Sequence, residues 1–169
     1  MIYNMINIYN IICDYATVFI FDEFVDPEKI DWGRLSSTPN AIHLLESNPE
    51  KINWIGLSCN LNAIHLLKSN TNKIDWWVLS SNPNAIDLLK ITPEKIDWTE
   101  LSQNINAIDM LNANPDKIDW DELSKNPNAI DLLKANTDKI NWHMLSSNPS
   151  IFVEDEIRRS TILDCLYQT

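Results

Sequence analysis

Six serines, Ser36, Ser58, Ser80, Ser102, Ser124 and Ser146, stand 22 residues apart, and a serine hydroxyl becomes a nucleophile wherever a base can take its proton. The bases do not keep that rhythm. The three histidines are His43, His65 and His143, and none repeats in phase with the serines, so these hydroxyls are expected to bond nearby backbone carbonyls instead. His43 and His65 share a register that later copies fill with Asp87, Asp109 and Asp131. Imidazole and carboxylate are metal ligands, but stacked helical units hold equivalent residues roughly 8 to 10 Å apart, too far for shared ligation. Asp87 is expected to pair with Lys90, and Asp131 with Lys134, along exposed helix faces. Cys13, Cys59 and Cys165 are odd in number and contain no CxxC, which fits neither a disulfide framework nor a zinc site. No nucleophile, base and oxyanion donor can be assembled outside the copies. The reading is a protein without catalytic residues, metal or cofactor.

Catalysis needs one constellation, whereas stacking needs many equivalent ones, so residues present in every copy are read as architecture. Trp32, Trp54, Trp76, Trp98, Trp120 and Trp142 keep the same period, as do Ala41, Ala63, Ala85, Ala107 and Ala129. The indoles are expected to fill the gaps between successive units. Asn40, Asn62, Asn84, Asn106 and Asn128 are expected to satisfy backbone groups of neighbouring copies. Lys29, Lys51, Lys73, Lys95, Lys117 and Lys139 are expected to form a solvated edge.

Information particular to this chain then sits where the copies disagree. The two positions after each tryptophan vary most: Gly33 and Arg34, Ile55 and Gly56, Trp77 and Val78, Thr99 and Glu100, Asp121 and Glu122, His143 and Met144. Positions free to vary in a stacked array are exposed, and such columns serve as binding surfaces. Ile55, Trp77 and Val78, with His143 and Met144 further on, are expected as apolar islands in a polar strip that includes Thr99 and Asp121, the pattern of a protein-binding hot spot.

The elements that position these residues follow from the same phrase. Asn82 before Pro83 marks a helix start, because the amide side chain caps free N–H groups and proline lacks one. Ala85, Ile86, Leu88 and Leu89 give that helix an apolar stripe. Its stop is expected at Asn70 or Thr92 in their own copies, with Asn tolerating left-handed backbone. The second helix begins before each tryptophan, with capping-box spacing at Asp97/Glu100 and Asp119/Glu122 and an apolar staple such as Ile96/Leu101. Helices of about 8 residues, only about 12 Å long, cannot persist alone and must stack. The expected fold is all-α: an α-solenoid of about six 22-residue two-helix repeats over residues 26–149, an irregular N-terminal cap over 1–25 and a C-terminal capping helix over 150–169.

A net charge of -11 with a pI near 4.5 argues against a nucleic-acid partner, whose phosphates need clustered Lys and Arg. No apolar run approaches the roughly 18 residues that span a bilayer, and the run at 11–21 is broken by Asp14 with no Lys or Arg before it, unlike a signal peptide.

The phrases NPNAIDLL and KIDWDELS, recurring in order across roughly residues 26–150, resemble the short tandem repeats of proteins from giant amoeba-infecting DNA viruses, mimivirus relatives in particular. Leu61 and Ile105 depart from the usual proline, which weakens two helix starts. The resemblance implies an intracellular viral repeat protein, in the infected cytoplasm or the virion, and offers no catalytic residues. The expected function is binding of a host or viral protein through the post-tryptophan column. The alternative is a structural role in a particle or filament through self-association of the array ends.

Overall fold

The structure is a computed structural model and describes residues 20–152. All regular elements among the described residues are helical, and within each of two units successive repeats pack on one another in a solenoid-like arrangement. The chain forms two compact units that divide between Ile96 and Asp97. In the first, the tryptophan-led helices α1 (Trp32–Ser36), α3 (Trp54–Cys59) and α5 (Trp76–Ser80) pack α1 on α3 and α3 on α5; α2 (Ile42–Ser47), α4 (Ile64–Lys68) and α6 (Ile86–Lys90) alternate with them. In the second, α7 (Trp98–Gln103), α9 (Trp120–Lys125) and α11 (Trp142–Leu145) stack likewise, with α8 (Ile108–Asn112) and α10 (Ile130–Lys134) between them. The caps expected over 1–25 and 150–169 lie largely outside the described residues.

Each repeat holds more than the two helices expected, because short 3-10 turns precede them. Lysine ends one turn, as in Pro49–Lys51, and alanine ends the other, as in Pro83–Ala85. Proline fixes φ for the first residue of such a turn. At Leu61 and Ile105 the second turn is not formed, yet α4 and α8 begin in register, because Ala63 and Ala107 still donate to the carbonyls of Asn60 and Asn104.

Capping explains the boundaries and corrects two expectations. The tryptophan helices start on a side-chain oxygen: Asp97 accepts from Glu100 N–H at 2.9 Å and Asn53 from Gly56 N–H at 2.8 Å. The reciprocal half of the capping box is absent at α9. Asp119 N–H donates instead to Ser102 Oγ of the preceding repeat at 3.0 Å, so Glu122 has no donor to reach back for and pairs with Lys125. At the other helix ends, Asn48, Asn70, Asn114 and Asn136 donate Nδ2 to the carbonyl four residues back at 2.8–2.9 Å, and Thr92 does so with its hydroxyl. These residues lie near φ -136, and no described residue has positive φ. The amide ends the helix by covering a free carbonyl, not by adopting the left-handed conformation.

Each unit buries its own leucines and alanines completely: Leu45, Leu57, Leu67, Leu79 and Leu89 with Ala63 and Ala85 in the first, and Leu101, Leu111 and Leu123 with Ala107 and Ala129 in the second. The indoles are not the centre of either core. Trp32, Trp54, Trp76, Trp98 and Trp120 are half-buried, and Trp142 is 65 % exposed. Each of four rings is covered by the lysine of the next repeat: Lys51 over Trp32, Lys73 over Trp54, Lys117 over Trp98 and Lys139 over Trp120, at 4.5–4.6 Å from ring centre. Four of the six edge lysines are therefore cation–π roofs, each worth about 0.5–1 kcal/mol at an exposed site.

Candidate interaction surface

The framework residues are committed to one another. Each serine hydroxyl donates to the tryptophan carbonyl four residues earlier, as Ser102 does to Trp98 at 2.7 Å, and the same oxygen accepts the cap N–H of the next repeat: Asn53 to Ser36, Asp75 to Ser58, Asp119 to Ser102 and Asn141 to Ser124, at 3.0–3.1 Å. The first bond was expected from the sequence and the second was not. A second ladder, Asn60, Asn82, Asn104, Asn126 and Asn148, is buried to 2 % exposure or less. Asn126 donates both amide protons to the preceding repeat, to Ser102 O at 3.1 Å and Asn104 O at 3.0 Å, while its oxygen accepts from Asn128 N–H. The asparagines singled out from the sequence are the outer, exposed row: Asn62, Asn84 and Asn128 each bond one preceding carbonyl at 2.8–3.2 Å. The inner row was legible only as helix caps. Its signal was that an amide stands in five of the six copies, Thr38 being the exception, where Ser or Asp would cap equally well.

His43 and His65 meet through a carboxylate, with His43 Nδ1 3.3 Å and His65 Nε2 3.0 Å from the two oxygens of Glu46. No group of three such ligands among the described residues is placed to hold a metal ion. The pairs Asp87–Lys90 and Asp131–Lys134 form at 3.9 and 3.5 Å on exposed faces.

The first post-tryptophan position is exposed in five of the six copies and half-buried at Gly33. The second turns inward in five copies, where Gly56, Val78, Glu100, Glu122 and Met144 are half-buried, and is exposed at Arg34, so Val78 and Met144 are only partly presented. In the first unit, Ile55 on α3 and Trp77 on α5 occupy the same register of packed helices, and they are 60 % and 59 % exposed. Gly56 brings α3 close to α1, since a Cβ there would meet Gly33 O at 2.8 Å. In the second unit the column is polar and partly engaged in bonds between repeats. Thr99 donates to Asp119 at 3.2 Å, Asp121 accepts from Asn141 at 2.7 Å, and His143 is exposed on α11. Glu100 has its pKa raised, first by burial; its bond from Gln103 opposes this, the like charges of Asp97 and Glu122 add to it, and Lys125 opposes it again. Ile91, also exposed, ends the first unit's last helix and was not anticipated.

No helix among the described residues is long and apolar enough to cross a membrane. Comparison with known protein families, curated proteins and solved structures finds no match to this chain.

Proposed function

We propose that the protein is a non-catalytic binding scaffold whose first unit takes a protein segment with an apolar anchor on Ile55 and Trp77. One observation carries this reading. Two large apolar side chains stand in adjacent registers at the position whose residue type changes from copy to copy, each about 60 % exposed, while the repeated indole beside each, Trp54 or Trp76, is half-buried in the framework. An aromatic anchor beside an aliphatic one, with polar neighbours that exclude water, is the usual build of a hot spot. The serines lend no support to catalysis, because Ser36, Ser58, Ser102 and Ser124 are buried and each is bonded at both ends of its hydroxyl dipole. The resemblance noted in the repeated phrases makes a viral or host protein the proposed partner.

Affinity capture with wild type and Trp77→Ala side by side tests the reading. The expected outcome is a partner retained by wild type and reduced roughly 30-fold by the substitution, the loss that about 2 kcal/mol of hot-spot energy entails. The melting midpoint should not move, since the ring is largely in solvent. Equal recovery of every captured protein would remove the proposal.

A further inference from the structure

We infer that the two ends of the array are the halves of one junction, so that the groove under the last repeat takes the first repeat of a second copy. This inference does not rest on the post-tryptophan column.

The junctions inside each unit use one set of groups. The preceding repeat offers an indole face, the serine Oγ and O, a carbonyl two residues on and another three residues on. The following repeat brings a lysine, a cap N–H, an inner asparagine and an outer asparagine, the last replaced by Ser150 at the final junction. Between the first and second repeats these are Lys51 over Trp32, Asn53 N–H to Ser36 Oγ, Asn60 to the carbonyls of Ser36 and Thr38, and Asn62 to Pro39 O.

At the last repeat nothing among the described residues takes up the offering half. Trp142 is 65 % exposed and Ser146, whose counterparts are fully buried, is exposed. Ser146 O and Pro149 O receive no donor among the described residues, and Asn148 O has only its local bond from Ile151 N–H. Beside them lies an apolar groove of about 270 Å³ lined by Ile130, Leu133, Ile140, Trp142, Leu145 and Ile151.

At the first repeat the donating half stands open in turn. Among the described residues Lys29 is held only by an exposed pair with Asp26, and neither Asp31 N–H nor the Asn40 carboxamide has an acceptor. A second copy therefore brings Lys29 to Trp142, Asp31 N–H to Ser146 Oγ and Asn40 to Pro149 O. The chain's own in-phase continuation reads Thr161 and Asp164 where the phrase has Lys and Trp, so another copy's head matches the groove better. One member of the set is missing, because Thr38 stands where the inner asparagine belongs and its hydroxyl donates to Arg34 O. Thr38 thus weakens the contact and limits its growth. The two surfaces differ, so the association is head-to-tail and does not close unless the rotation happens to. The charge of -11 on each copy opposes it and salt relieves that opposition.

Sedimentation velocity of the full chain against concentration tests this. Expected are species that grow stepwise with concentration and with salt, a half-association concentration at least about tenfold lower for Thr38→Asn, and one at least about tenfold higher for Lys29→Glu, the size of change that one charged or paired hydrogen-bonding group makes. Both variants should melt as wild type does when dilute, since neither side chain serves a junction within the chain. Three results would each overturn the inference: Thr38→Asn associating no more tightly than wild type, association insensitive to Lys29→Glu, or association abolished by Trp77→Ala, which would place the contact on the post-tryptophan column.

Discussion

The inner asparagine carries more of the stack than the side chains that first attract notice. Asn126→Ala takes the donor from the carbonyl of Ser102, takes one of two donors from that of Asn104, leaves Asn128 N–H without its acceptor and opens a small void, and each buried group left unpaired costs about 1–3 kcal/mol. We expect a loss of roughly 3 kcal/mol by denaturant unfolding, against at most about 1 kcal/mol for Asn128→Ala, whose single bond is at the surface. Comparable losses from the two would contradict this ordering. Trp98→Ala should fall between, at roughly 2 kcal/mol, below the about 3–5 kcal/mol of a fully buried aromatic, because the ring is half in solvent. The acidic residue Glu100 makes a pH-dependent contribution. Its pKa is raised in the folded state, so the folded form holds the proton more tightly, and stability falls as pH rises from the ordinary carboxylate range through the raised value. Glu100→Gln should therefore raise the melting midpoint at neutral pH and give no gain below about pH 4, where the unfolded carboxyl is protonated too. A gain that persists in acid would point to another cause.

At the scale of the element, a helix of five or six residues has almost no interior, and its ends decide it. Sequence and structure agree most closely here: Asp or Asn before each repeat tryptophan, Asn before five of the eight prolines with Asp26, Thr38 and Thr92 before the others, and the apolar stripes were all legible, because caps and periodicity are local signals. The destinations of the cap's own N–H and of the amide protons were not legible, since they lie in the next repeat and no local pattern states them. The left-handed stop at Asn70 failed for a related reason, as the side chain offered a cheaper way to cover the carbonyl. Leu61 gives a direct test. Asn60 already has the extended backbone that precedes proline, φ -72 and ψ 121, so Leu61→Pro should stabilise the first unit by about 0.4–1 kcal/mol through the unfolded chain. A lower melting midpoint for that variant would show that the turn differs from its proline-bearing counterparts.

Across the molecule, stability resides in junctions between neighbours, the nearest-neighbour logic of repeat arrays. The period, the all-helical class and the existence of a variable column could be read from one sequence because the chain supplies six near-copies of itself for comparison. What the variable column presents was legible only in part. Ile55 and Trp77 stand out in solvent as expected, but Val78 and Met144 turn toward the framework, and Thr99 and Asp121 are drawn into bonds between repeats. Helix rotation sets which of two adjacent positions faces out, and that depends on packing partners a single copy does not reveal. The most direct measurement is residue-resolved amide hydrogen exchange on the native chain. The cap amides of Asn53, Asp75, Asp119 and Asn141, each held by the serine of the preceding repeat, should exchange as slowly as the leucine core, while Asp31, with no repeat before it, exchanges fast. Fast exchange at all five positions would contradict this.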